Sequence, residues 1–202
     1  MTTFTDLLAH LGSRAERQAT TIASKYVSGQ IDLEIAIDGL EVVVRTSNAR
    51  GLNLGEAACR ELLISLGDDT SVVTGEAYSH VHDAERIQKA TRTALAEQGS
   101  AVMAAGRLAR SEAIEAAQSA FSRTMQTSRR VKGWKRGMEP DACELCTWWW
   151  REGRVWPKGY SLQTHKGCTC RQVPVMIAAD DMRTPDERSW EASEARKTRL
   201  DH

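Results

Sequence analysis

A chain of 202 residues, 41% apolar and 27% charged, has room for one domain or a domain plus a module, and is too apolar to be mostly disordered. Its formal charge is zero, 27 basic side chains against 27 acidic, which argues against a polycation wrapped on nucleic acid along its whole length. No run approaches the roughly 18 apolar residues of a membrane span, and the opening Met1-Thr2-Thr3-Phe4-Thr5-Asp6 lacks the basic and apolar regions of a secretory signal. The neutrality hides a segregation. Residues 1–80 carry 6 Lys/Arg and 11 Asp/Glu, net −5, whereas 129–175 carry 10 and 4, net +6. The basic stretch also holds five of the six Trp and four of the five Cys, so the chemistry is concentrated there.

Phe4, Leu8, Leu11, Ala15, Ala19 and Ile22 recur at spacings of three and four, which predicts an amphipathic helix ended by Ser28-Gly29. Next, Ile31, Leu33, Ile35 and Ile37 alternate with Asp32, Glu34 and Asp38, and the alternation resumes after Asp38-Gly39 with Leu40, Val42 and Val44. A two-residue Asp-Gly turn would pair Ile37 with Leu40, Ile35 with Val42 and Leu33 with Val44 on one face, so the pattern predicts a β-hairpin over 31–44. A lone hairpin is marginal in water, and the first helix or a second at about Gly55–Leu66 would cover it.

From Glu76 to about Arg130 the chain turns Ala-rich and helical, with a weak stripe of Val81, Ala84, Gln88, Thr91 and Leu95 and a break at Gly99-Ser100. In the following helix Val102, Ala105, Ala109, Ala113, Ala117 and Ala120 form one stripe, widened by Ile114, Phe121 and Met125. Small residues bury little area, so this helix needs neighbours for its stability. Past residue 175, Thr184-Pro185-Asp186-Glu187 reads as the start of a short polar helix whose thin face is Trp190 and Ala195.

Cys143-x-x-Cys146 is followed, after eighteen residues, by His165-x-x-Cys168-x-Cys170. A Cys-x-x-Cys turn aims both sulfurs at one tetrahedral ion, and a second pair from a distant segment closes the shell. Val155-Trp156 and Arg171–Val175 read as short strands, which gives a small zinc-ribbon-like module. Five candidates compete for four positions: Cys143 and Cys146 are the firmest, and His165 with Cys168 or Cys170 completes the set, Cys168 being favoured. With more protein donors than positions, the site reads as structural zinc and not as a catalytic metal with an open position. Reduced buried thiols and disulfides are the competing readings; the odd Cys59 and the absent secretory signal disfavour disulfides.

A zinc nuclease would need a second cluster of His, Asp or Asn near the ion, and His10, His80, His82 and His202 are remote in sequence. There is no phosphate-binding glycine loop and no nucleophilic serine motif. His80-x-His82 reads as a polar segment near a helix start. Trp134, Trp148, Trp149, Trp150 and Trp156 either build the module's small core or form an aromatic docking surface. Three consecutive Trp cannot all face inward. Arg129, Arg130, Lys132, Lys135, Arg136, Arg151, Arg154 and Lys158 either solvate the module or face DNA phosphates without sequence readout.

Taken together, Ala109-Arg110-Ser111-Glu112, Trp134, Asp141-Ala142-Cys143-Glu144-Leu145-Cys146, Gly153-Arg154-Val155-Trp156, His165-Lys166-Gly167-Cys168-Thr169-Cys170-Arg171 and Pro174 make a recognisable series. It resembles the C-terminal domain of the Mu F-like minor head proteins of tailed bacteriophages, over roughly residues 101–175. That family has Thr where Ser111 stands, Pro-Asn in place of Lys166-Gly167, and a shorter, less aromatic stretch after the Cys-x-x-Cys turn. The resemblance implies a structural, non-enzymatic protein of the phage head, assembled in the host bacterial cytoplasm at or near the portal. Its partners would be portal or major capsid proteins, with non-specific contact to packaged DNA, and neither a membrane nor a small-molecule substrate. The alternative from another class is a zinc-containing, nuclease-like enzyme of nucleic acids.

The expected fold is mainly α with small β elements. It comprises an N-terminal helix/hairpin/helix region (1–75), an Ala-rich helical segment (76–130), a Cys/His zinc-ribbon-like module (131–175) and a polar helical tail (176–202).

Overall fold

Thr3 opens the first element. In the computed structural model its hydroxyl accepts from the Asp6 N–H, and Asp6 in return accepts from the Thr3 N–H, a reciprocal cap that starts α1 (Phe4–Val27). The bond from the Thr3 backbone holds the Asp6 carboxyl below the usual carboxylate range. The structure describes residues 3–68, 80–97, 99–139 and 141–177, with 80–82 described by their backbone alone. Leu8, Ala15 and Ala19 of the expected stripe are buried, and Phe4, Leu11 and Ile22 are partly so. The helix stops at Ser28, followed by Gly29 at φ +71°, a left-handed conformation that costs glycine little.

The expected hairpin is not there. Residues 31–44 enter α2 (Leu33–Ser65), one continuous helix that also absorbs the helix expected at 55–66. Asp32 is its cap, accepting from the Ile35 N–H at 2.9 Å. Of the alternating residues, Leu33, Ile35 and Val42 are exposed, while Ile37, Leu40 and Val44 join Ala36, Ser47, Asn48, Gly51, Gly55, Cys59 and Leu63 in the buried face. That face has a helical period, but half of it is small or polar, so apolar alternation over 31–44 outweighed it in the sequence. Asp38-Gly39 sits inside the helix, where Gly costs about 1 kcal/mol against Ala. Burial of the long face against its neighbours overrides that cost.

The Ala-rich segment gives α3 (His80–Ala96) and α4 (Ala101–Thr127), parted at Gly99 as expected. The buried face of α3 is Ile87, Thr91, Ala94 and Leu95; of its expected stripe Thr91 and Leu95 are buried, Ala84 is half-buried and Gln88 is exposed. Its bidentate ion pairs, Arg86 with Glu112 and Arg92 with Glu34, join it to α4 and α2. The α4 stripe is as read: Ala105, Ala109, Ala113, Ala117, Ala120, Ile114, Phe121 and Met125 are buried, because α1, α2 and α3 all pack on this helix.

The closeness of that packing comes from glycine. A Cβ at Gly51 would lie 2.5 Å from the Ala113 carbonyl oxygen, and one at Gly55 nearer still to that of Ala117. On the other side, a Cβ at Gly106 would lie 2.7 Å from Thr20 Cγ2. Small residues spaced by four on both helices let backbone meet backbone, so dispersion replaces side-chain burial.

A three-stranded antiparallel sheet follows, in the order β2-β1-β3: β1 (Val131–Gly137), β2 (Trp156–Pro157) and β3 (Arg171–Met176). The last two match the expected strands, and β1 was not foreseen. Trp134 in the central strand faces Trp156 on one side and Pro174 on the other. It is 1% exposed, donates from Nε1 to the Tyr160 carbonyl at 2.9 Å, and joins Phe121, Met125, Cys59 and Leu63 in the core that fastens sheet to helices. A short helix, α5 (Glu144–Trp150), lies between β1 and β2. No helix of the described residues is long and apolar enough to cross a membrane. The tail helix expected at Thr184 lies outside the described residues.

Replacing Gly55 by Ala should therefore destabilise the fold by about 1–3 kcal/mol, the range of overpacking. Helix propensity alone would stabilise it by about 1 kcal/mol. The sign of the change in urea denaturation decides between a backbone contact and an ordinary helix surface.

Candidate metal centre

Cys143 caps α5 and Cys146 lies one turn in, its sulfur turned inward. The chain leaves α5 through Arg151, Glu152 and Gly153, all at positive φ, and so reverses toward β2. His165 begins the second donor loop, in which the Cys168 N–H returns to the His165 carbonyl at 3.0 Å across Gly167 at φ +78°. Cys170 is the last residue before β3. Gln118 of α4 hydrogen-bonds the loop to the bundle: it is 7% exposed and donates through Nε2 to the carbonyls of Cys168 and Cys170, both at 2.8 Å.

The donors converge. His165 Nε2 lies 3.2 Å from Cys143 Sγ and 3.3 Å from Cys146 Sγ, and Cys146 Sγ lies 3.5 Å from Cys168 Sγ. With Zn–S at about 2.3 Å, the sulfurs of a tetrahedral site stand about 3.8 Å apart, so these atoms fit around one ion with little movement. Glu139, which the sequence reading missed, completes a set with Cys146, His165 and Cys168 whose ligand atoms all lie within 4.8 Å of one another. This Cys/His/Glu cluster could hold a metal ion.

The five residues singled out from spacing thus take different places. Cys146, Cys168 and His165 share the centre. Cys143 reaches His165 from the exposed side, and Cys170 stands behind, its sulfur 4.0 Å from Glu139 Oε1. Thr169 donates its hydroxyl to the other Glu139 oxygen, which aims this carboxylate at the loop. All five cysteines are free thiols, with no disulfide among them.

Burial raises the Cys146 thiol to about 11, so it keeps its proton near neutrality unless a metal displaces it. Cys168 is also raised and Cys170 lowered to about 5, chiefly by the hydrogen bond between them. Cys59, in the core beside Phe121, is raised to about 12 by burial and belongs to packing.

A second residue missed from sequence is Arg136 on β1. It is 4% exposed, and its guanidinium donates to Cys146 Sγ at 3.4 Å, Cys168 Sγ at 3.7 Å and the Gln163 carbonyl at 2.7 Å. Burial works against its charge, but the Cys146 bond and the three nearby sulfurs prevail and raise its pKa. The face of Trp149 lies 5.3 Å from its Cζ. The tryptophans divide accordingly. Trp134 is core, Trp149 and Trp150 are half-buried, and Trp148, 57% exposed, carries Arg151 over its ring at 4.1 Å.

No family model, curated protein or solved structure matches this chain.

Because Gln118 alone satisfies two carbonyls of the donor loop, Gln118→Leu should cost about 1–3 kcal/mol, the range for stranded buried acceptors. Hydrogen exchange should speed up at residues 165–172 while the α1–α2–α4 contacts keep their protection. Uniform loss of protection would mean that Gln118 serves the bundle and not the loop.

Proposed function

We propose that this chain is a minor head protein of a tailed bacteriophage, similar to the Mu F-like proteins, whose Cys/His module is stapled by one structural zinc ion. The observation that carries this reading is the meeting of the resembling residues. Arg110 and Gln118 of α4 lie more than forty residues before the donor loop in sequence. Yet the Arg110 side chain lies beside Gly167, and Gln118 holds the carbonyls of Cys168 and Cys170. Glu112 of the same motif anchors Arg86 of α3. Arg110 of the resembling series thus meets the donor loop beside Gln118, and the two together join the helices to the Cys/His module.

The donor chemistry supports zinc: thiolates and an imidazole suit a borderline-soft ion that takes four ligands. Zinc would supply local folding energy and needs no open position. A hydrolytic zinc keeps an open position for water, whereas here Cys143 and Glu139 both stand beside Cys146, His165 and Cys168 to fill the fourth position. In an assembled head, Trp148 with Arg151, and the basic residues turned to solvent, would face portal or capsid proteins and packaged DNA.

Two measurements test the reading. Purified chain should contain one zinc per molecule, and Cys146→Ser should lose it, with faster proteolysis between 134 and 175 and unchanged helix content; equal cutting of both proteins would count against a structural metal. Trp148→Ser should leave a folded, zinc-loaded chain that enters particles poorly. Absence of the wild-type chain from both proheads and virions would overturn the assignment to the head.

A further inference from the structure

A guanidinium does not give up its proton in a protein, so a buried arginine needs a negatively charged acceptor or it is strongly destabilising. Arg136 is 4% exposed, and among the described residues it forms an ion pair with no carboxylate. Its partners are the Gln163 carbonyl, which is neutral, the Trp149 face, and the sulfurs of Cys146 and Cys168. Protonated thiols at Cys146 and Cys168 would answer its charge only weakly. Metal-bound thiolates would answer it.

Cys146 and Cys168 as thiolates with the Glu139 carboxylate give minus three; neutral His165 adds nothing. A divalent ion leaves minus one, which a single guanidinium cancels. We propose that Arg136 is the charge-neutralising outer partner of a divalent metal centre at Cys146, His165 and Cys168, its N–H groups orienting two of the ligand sulfurs. Outer partners of this kind commonly set metal affinity by 10–100-fold. Arg136 therefore acts through the ligands as a positioning residue. The inference rests on the metal reading above.

The test uses the full chain with Zn²⁺ titrated against a chromophoric chelator, and with Co²⁺ as a spectroscopic stand-in. Arg136→Met should weaken Zn²⁺ binding about 10–100-fold. It should also move the sulfur-to-cobalt charge-transfer band to longer wavelength, since the hydrogen bonds that lower the thiolate lone pairs are gone. Arg136→Lys, which keeps the charge but not the planar fork, should recover part of both. If Arg136→Met fails to fold, Arg136→Gln, which keeps a neutral donor for the Gln163 carbonyl, decides by the same two readings. A folded variant without the charge that binds Zn²⁺ as wild type does, with an unmoved cobalt band, overturns the role of Arg136. Wild-type chain that takes up neither ion overturns the metal reading itself, and this inference with it.

Discussion

Carbonyl oxygens of α4 occupy the space where side chains of α2 would begin. At Gly51 and Gly55 a Cβ has no room beside the oxygens of Ala113 and Ala117, so the two backbones touch along a turn of each helix. Such a contact has one register. Sliding either helix by a residue would bring a Cβ against a carbonyl, and repacking cannot relieve a clash with backbone. The register sets which way α4 turns its remaining faces: Arg110 toward Ser13 and Glu16 of α1, Glu112 toward Arg86 of α3, Gln118 toward the donor loop. A helix whose apolar face is mostly alanine can stand at the centre because its partner supplies glycine where alanine is too small to interlock.

The C-terminal module depends on that placement because it has little core of its own. Apart from Val131 and Trp134, which join Phe121 and Met125, its buried cluster is Cys146, Cys168 and Cys170 with Met138 and Ala142 against them. Apolar area of this size cannot offset the ordering of loops on both sides of the cluster. Gln118 satisfies two of the loop's carbonyls, Ser128 binds the N–H groups of Arg130 and Val131, and Lys158 returns to the Ser128 carbonyl. These bonds hold the module's backbone at its edges. At its centre only the convergence of thiols, imidazole and carboxylate remains, where metal binding would add folding free energy most effectively.

What could be read from the sequence divides along physical lines. The α4 stripe was legible because alanine, isoleucine, phenylalanine and methionine recur there at a helical period. The α2 face was not, since Ala36, Ser47, Asn48, Gly51 and Gly55 define it by being small, while the apolar side chains that catch the eye, Ile35 and Val42, face water. The strand β1 escaped notice because Gly133 and Trp134 are both buried side by side, Gly133 against the Trp156 backbone, which breaks the alternation of a half-buried strand. The cysteine and histidine spacing pointed to the donor loop because ligand chemistry is local. Glu139, Arg136 and Gln118 join that site only through the fold, and a glutamate before a proline or an arginine in a basic run carries no mark of it.

The basic excess of residues 129–175 also changes meaning once placed. Arg136 is spent on sulfurs, while Arg130, Lys158 and Arg171 donate to Gly67, Ser128 and Thr5, so four of the ten cations hold the module to itself and to the bundle. Arg151 and Arg154 lie over Trp148 and Trp156 at 4.1 and 4.5 Å. A ring covered by a guanidinium has already satisfied the negative face that would draw a partner's cation. It turns outward a planar charge instead of bare hydrocarbon. Arg129, Lys132, Lys135 and Lys166 are exposed as well, so the module's outer surface is cationic before it is apolar.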